Sequence, residues 1–143
     1  MYVRVIVRLV EIMKTVLIVE DDPANLFVFS KMVSKRAGLA VTHTEDVAEV
    51  LTMAGTGAAD IILMDIILPH SEYQGKIVSG LEISKMLKAN PQTAKVPVIL
   101  VSSEGTVNDA KHYLDESGAD GYFAKPIVDW PQFIAQLNSM LPA

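Results

Sequence analysis

The stretch Val16-Leu17-Ile18-Val19-Glu20-Asp21-Asp22-Pro23 combines a short apolar run, an acidic turn and the start of a helix. Four consecutive apolar residues are typical of a parallel strand that is covered on both faces. An aspartate followed by proline is typical of a helix N-cap followed by the first helical position. The stretch therefore predicts a βα unit that carries carboxylates at the carboxyl end of its strand.

The same alternation of short apolar runs and longer amphipathic stretches continues along the chain, which predicts an α/β fold. We predict strands over residues 16–19, 39–42, 61–64, 96–101 and 121–124. We predict helices over residues 23–37, 44–55, 80–90, 107–116 and 130–141. Right-handed crossovers then give one domain, an open twisted parallel sheet with helices on both faces.

Composition narrows the classes of function. The length of 143 residues fits one domain with a substantial core, since 50% of the residues are hydrophobic. A net charge of -5 argues against direct DNA binding, because phosphate contacts need clustered Lys and Arg. The absence of cysteine excludes disulfides and thiol catalysis, and it fits a cytoplasmic location.

The N-terminal segment, residues 1–13, is interpreted as an extension, and residues 14–143 as the domain. Arg4, Arg8 and Glu11 interrupt the apolar residues, so the segment is too short and too charged to span a membrane. One hypothesis makes Met13 the natural start of the protein. The other adds an edge strand or a helical turn to the domain.

Polar groups follow three predicted strands: Glu20-Asp21-Asp22, then Asp65, then Lys125-Pro126. The carboxyl ends of parallel strands share one edge of a sheet, so the fold brings these groups together. Crowded carboxylates favour a hard divalent cation such as Mg²⁺, and a nearby lysine would offset an incoming phosphoryl group. The acids could alternatively serve only as helix caps and turn residues.

Five motifs together resemble the stand-alone receiver domain of two-component response regulators, over residues 14–141. They are the opening stretch, Ile61-Ile-Leu-Met-Asp-Ile-Ile-Leu-Pro69, Gly80-Leu-Glu-Ile83, Pro97-Val-Ile-Leu-Val-Ser-Ser103 and Gly118-Ala-Asp-Gly-Tyr-Phe-Ala-Lys-Pro126. The resemblance implies a flavodoxin-like doubly wound (βα)5 sandwich. Its five-stranded parallel sheet would have the order 2-1-3-4-5.

The resemblance also implies a metal site and a phospho-acceptor. Asp65 matches the acceptor, Asp21 a direct Mg²⁺ ligand and Glu20 a ligand through water, and the backbone carbonyl of Ile67 completes the set. Lys125 matches the lysine that contacts the phosphoryl group, and its bond to the following proline is typically cis in this family. Asp22 is expected to be a helix N-cap.

A switch is implied as well. Ser102 matches the hydroxyl that moves onto a phosphoryl oxygen after transfer, and Tyr122 matches an aromatic ring that rotates inward with it. Hydrogen bonds from Ser102 and Ser103 or their backbone would favour the new arrangement of the loops. Tyr122 could equally be a fixed, half-buried aromatic residue. The surface of the fourth helix, fifth strand and fifth helix would then change its affinity for a downstream protein.

The function implied is that of a signalling phospho-acceptor rather than an enzyme, although it assists its own phosphorylation and dephosphorylation. Its donor would be a phosphohistidine on a histidine kinase or histidine phosphotransfer protein. No membrane contact is expected, and homodimerisation is left open.

Two features depart from the family. Residues 70–79 lengthen the loop that follows Asp65, either as a tolerated surface loop or as a lid or partner contact. Ile67 stands where many receivers have a polar side chain that orients water, which predicts slow autodephosphorylation, although Glu104 could position water instead. His43, His70 and His112 show no metal-ligand spacing and are interpreted as ordinary surface or strand-end residues.

Two other classes of protein compete with this interpretation. An enzyme of the haloacid dehalogenase type also phosphorylates an aspartate, but it needs a second acid at the position of Ile67. A degenerate receiver would only bind partners. That alternative is disfavoured by the intact set of Glu20, Asp21, Asp65, Ser102 and Lys125.

Overall fold

Five parallel strands form the central sheet of the computed structural model, which describes residues 13–103 and 107–142. They are β1 (Thr15–Val19), β2 (Ala40–His43), β3 (Ile61–Asp65), β4 (Val98–Ser102) and β5 (Gly121–Ala124). Their order is β2-β1-β3-β4-β5, and every neighbouring pair is parallel. This confirms the flavodoxin-like (βα)5 fold. Residues 1–12 and Glu104 lie outside the described residues, so the predictions made for them stay predictions.

In the described part of the chain, four helices connect the strands and a fifth follows β5. They are α1 (Pro23–Lys31, extended by a π-helical turn Met32–Arg36), α2 (Val47–Thr56), α3 (Gly80–Ala89), α4 (Ala110–Ser117, preceded by a 3-10 turn Val107–Asp109) and α5 (Trp130–Met140). Asp22 accepts a hydrogen bond from the amide of Ala24 at 2.9 Å, which confirms it as the N-cap of α1. Within the described ranges, the structure contains no helix with the length and apolar character needed to cross a membrane.

Two predicted strands begin too early. Leu39 donates its amide to the carbonyl of Val33 at 3.4 Å, so it belongs to the turn that ends the first helix and β2 starts at Ala40. Val96 donates to Thr93 at 3.1 Å in another turn, and Pro97 has no amide hydrogen to give to a ladder. β4 therefore starts at Val98.

Side chains of β1 alternate between two apolar clusters, one on each face of the sheet. Leu17 and Val19 pack in the cluster that contains Ile83 of α3. Val16 and Ile18 pack in the cluster that contains Phe133 of α5. Both faces are covered, which explains the unbroken apolar run of residues 16–19 in β1.

Gly80 packs the start of α3 directly against the end of β3. Its amide donates to the carbonyl of Ile66 at 2.8 Å. A Cβ at this position would overlap the carbonyl oxygen of Asp65 and would lie 2.8 Å from its carbonyl carbon. The missing side chain therefore lets α3 support the backbone that carries Asp65.

Residues 70–79 form a hairpin whose strands are Glu72–Tyr73 and Lys76–Ile77. Its tip, Gln74-Gly75, has positive φ angles of 55° and 79°, as a tight hairpin turn requires. At its base, the buried hydroxyl of Ser71 donates to the carbonyl of Glu45 at 2.8 Å, and the amide of Val78 donates to the carbonyl of Ser71 at 2.9 Å. The insertion is an anchored hairpin, and its functional role stays a prediction.

We expect Gly80→Ala to lower the free energy of unfolding by about 1–3 kcal/mol, because the added Cβ would displace backbone atoms of Asp65. Urea unfolding measures this change. Gly55→Ala in α2 is the matched control, since its Cβ would meet only Thr93 Cγ2 at an ordinary 3.7 Å. That variant should gain up to about 1 kcal/mol. Equal responses at the two glycines would contradict the close packing at Gly80.

Candidate functional site

Three carboxylates converge at the carboxyl ends of β1 and β3. Oxygen atoms of Glu20, Asp21 and Asp65 all lie within 4.8 Å of one another. Glu20 is 1% exposed and Asp65 is 4% exposed, while Asp21 is half-buried at the rim. Buried carboxylates repel one another unless a cation offsets their charge. The group is therefore a set of hard oxygen donors suited to a divalent ion.

Lys125, which follows β5, supplies a positive charge to this group. Its Nζ lies 3.0 Å from Glu20 Oε2 and 3.4 Å from Asp65 Oδ2, and its side chain is only 7% exposed. Its amide donates to the carbonyl of Ser102 at 2.8 Å, and the Lys125-Pro126 bond is cis, as expected. The lysine is thus fixed by its backbone while its ammonium group faces two acids.

The pKa of Asp65 is raised from 3.8 to about 7, first by burial and then by the negative charge of Glu20. Lys125 and the amide of Ile67, which donates to Asp65 Oδ1 at 3.4 Å, act in the opposite direction. One lysine therefore does not fully offset the crowding of the carboxylates. A further cation at this position would favour the ionised, nucleophilic form of Asp65.

The acidic turn after β1 is held by its own side chains and by one histidine. The amide of Asp22 donates to Glu20 Oε1 at 3.2 Å. His43, at the end of β2, places Nε2 2.8 Å from the carbonyl oxygen of Glu20. From the sequence, His43 is interpreted as an ordinary surface or strand-end residue, and this contact is not predicted. Predicting the contact would have required the register between β1 and β2, which pairs Ile18 with His43. Neither strand specifies that register by itself.

The expected switch residues lie around the same edge of the sheet. Ser102 is fully buried at the end of β4, whereas Ser103 is exposed. Tyr122 on β5 is half-buried, with its ring centroid 5.5 Å from that of Tyr113 on α4. Burial raises the pKa of Tyr122, and Tyr113 and Asp109 add to the effect. This position of Tyr122 is compatible with both interpretations, a ring that rotates inward and a fixed, half-buried aromatic residue.

The other sequence candidates lie on the surface. Ile67 is 49% exposed. Because this residue is an isoleucine, the second acid that a haloacid dehalogenase needs is missing at this position. His70 is exposed where the hairpin begins, and His112 Nε2 lies 3.4 Å from Glu116 Oε2 on the surface of α4. Neither histidine lies in the candidate metal-binding cluster of Glu20, Asp21 and Asp65.

Known proteins resemble this chain over nearly its whole length. A family model described as the response regulator receiver domain matches residues 16–138. The polar-differentiation response regulator DivK of Brucella anthropi is 34% identical over 128 residues, which cover 90% of this chain and 96% of that protein. DivK of Brucella ovis matches with the same identity and coverage.

Solved structures resemble it as well. The receiver domain of the sensor histidine kinase PA1611 from Pseudomonas aeruginosa is 25% identical with a TM-score of 0.71, covering 90% of this chain and 97% of that one. That crystal structure has a magnesium ion coordinated in the active site cleft. The chemotaxis protein CheY4 of Vibrio cholerae, 24% identical, shares the fold with a TM-score of 0.71 and coverage of 90% and 99%.

The raised pKa of Asp65 makes stability depend on pH. Since the folded value of about 7 exceeds the reference value of 3.8, the folded protein holds its proton more tightly. The stabilisation that this tighter proton binding gives to the folded state is complete below pH 3.8 and is lost as the pH rises through about 7. In metal-free buffer, Asp65→Asn should therefore become increasingly more stable than the unaltered protein across this window. Urea unfolding at several pH values tests this, and a constant difference would contradict it.

Proposed function

The chain belongs to the response regulator receiver family of two-component signalling proteins, and on this basis we propose that Asp65 accepts a phosphoryl group from a phosphohistidine. The proposal rests on the meeting of Glu20, Asp21 and Asp65 within 4.8 Å of one another, with Lys125 against two of them. Membership in this family makes the chain a signalling protein rather than a conventional enzyme. Residues 14–143 would form the receiver domain, with 1–13 as an extension.

The donor atoms fit Mg²⁺, which prefers carboxylate and carbonyl oxygens and keeps several waters. Asp21 and Asp65 would bind it directly, Glu20 through water, and Ile67 through its backbone carbonyl. When bound, the ion would neutralise charge on the phosphoryl oxygens. The magnesium ion in the PA1611 receiver domain supports this assignment.

In the proposed transfer, a carboxylate oxygen of Asp65 attacks phosphorus while the phosphorus–nitrogen bond of the donor breaks. The imidazole nitrogen leaves with the bonding electron pair and takes up a proton, and Asp65 becomes an acyl phosphate. Lys125 has three donors on a backbone fixed by Ser102, so it can offset charge that develops on the equatorial oxygens. Its burial strengthens that interaction.

The new group carries a charge of about -1.5 to -2 and needs hydrogen-bond donors. We assign this role to Ser102 and Ser103, with Tyr122 as the ring that rotates inward. The rearrangement would alter the surface formed by α4, β5 and α5, where a downstream protein or a second copy of the chain would bind. The donor would be a histidine kinase or histidine phosphotransfer protein, and the compartment the cytoplasm.

Incubation with magnesium and acetyl phosphate, followed by intact mass measurement, tests the acceptor. The unaltered chain should gain the mass of one phosphoryl group, and Asp65→Asn should gain none. Asp22→Asn is the matched control, because asparagine also caps a helix and Asp22 already caps α1. This control should be phosphorylated normally.

The gain should also disappear when a chelator removes the metal. A gain in Asp65→Asn, or no gain in the unaltered chain, would overturn the acceptor assignment. Loss of labelling in Asp22→Asn would shift the proposed metal set toward that residue.

The apolar side chain of Ile67 is proposed to slow hydrolysis of the acyl phosphate, because it cannot orient an attacking water. Ile67→Asn should shorten the lifetime of the phosphorylated protein several-fold, measured by mass spectrometry after removal of the phosphodonor. Ile77→Asn on the hairpin is a matched control, since both isoleucines are 49% exposed. An unchanged lifetime in Ile67→Asn, or equal shortening in both, would argue against this role.

A further inference from the structure

The carbonyl group of Glu20 lies where the hydrogen-bond ladder between β1 and β2 stops. On this side of β1, the carbonyl of Lys14 accepts from Ala40 at 2.9 Å and the carbonyl of Ile18 accepts from Thr44 at 3.4 Å. Continued by two residues in each strand, this parallel pattern would pair the carbonyl of Glu20 with the amide of Asp46.

That backbone donor is used elsewhere. The amide of Asp46 donates to Thr44 Oγ1 at 3.1 Å, and the Asp46 side chain caps α2 by accepting from Glu49 at 3.1 Å. The chain has turned away from β1 to begin a helix. The side chain of His43 supplies a donor in its place, with Nε2 2.8 Å from the Glu20 oxygen. Because a carbonyl oxygen only accepts, Nε2 carries the hydrogen.

The hydrogen bond holds the peptide group that joins Glu20 to Asp21. Rotation of that peptide would redirect two of the three clustered carboxylates at once. We propose that His43 is a positioning residue that fixes the acidic turn for metal binding. The inference rests on the proposed function of the same site.

The turn that follows His43 is well anchored. Thr44 Oγ1 donates to Glu49 Oε2 at 3.0 Å, and the Ser71 hydroxyl of the hairpin donates to the carbonyl of Glu45 at 2.8 Å. The backbone next to His43 is therefore held in place, although the side chain of His43 is exposed. His43 belongs to neither apolar cluster, so its replacement should affect the acidic turn more than the stability of the fold.

Calorimetric titration of the full chain with Mg²⁺ tests the proposal. Loss of an outer hydrogen-bond partner commonly weakens metal binding by ten-fold or more, so His43→Ala should raise the Mg²⁺ dissociation constant about ten-fold. His43→Gln should restore most of the affinity, because its amide can donate to the same carbonyl. His112→Ala, which removes an exposed histidine on α4, should bind Mg²⁺ as the unaltered chain does.

The labelling rate with acetyl phosphate should fall in His43→Ala at low Mg²⁺ and recover at saturating Mg²⁺, with the metal-free urea midpoint unchanged. Unaltered affinity in His43→Ala, or failure of His43→Gln to restore it, would overturn the role of His43. A different result, in which the unaltered chain itself binds no Mg²⁺, would overturn the proposed function and this inference with it.

Discussion

Mutual repulsion between buried carboxylates is the constraint on which this site depends. Glu20 and Asp65 are held out of water by the sheet and helices around them, and Lys125 is the cation that contacts both. The burial that crowds these acids also makes each nearby charge count for more than it would in water. A change in charge at this edge therefore alters the energies of the surrounding groups more than the same change on the exposed surface would.

The parallel sheet produces that crowding without any local sequence signal that links the acids. β1, β3 and β5 end at the same edge, so residues far apart in the chain become neighbours there. Two apolar clusters support the strands from opposite faces, and close packing at Gly80 supports the end of β3. The site thus depends on rigid elements, whereas its exposed groups, such as Ile67 and Ser103, lie on the loops.

Much of this arrangement could be predicted from the residues. Apolar runs identified all five strands, and polar groups after three of them identified the acids that meet at the site. The strand order followed from the resemblance to the receiver family. The ends of elements were less readable, because Leu39 and Val96 take part in turns that depend on where a helix or proline stops the ladder. The contact of His43 was not predicted because its partner is a backbone carbonyl, which every residue has and no sequence motif reveals. Residues 70–79 gave no strand signal, since two-residue strands are too short to show alternation.

The closed base of the hairpin separates its tip from the rest of the domain. Ser71 accepts a hydrogen bond from Val78 across the base and donates one to Glu45 beyond it, so the base is held independently of the residues at Gln74 and Gly75. Loop length also adds little to the entropy of closure. The tip is therefore a region that can be lengthened, shortened or given a different charge with little cost to the packing around Asp65.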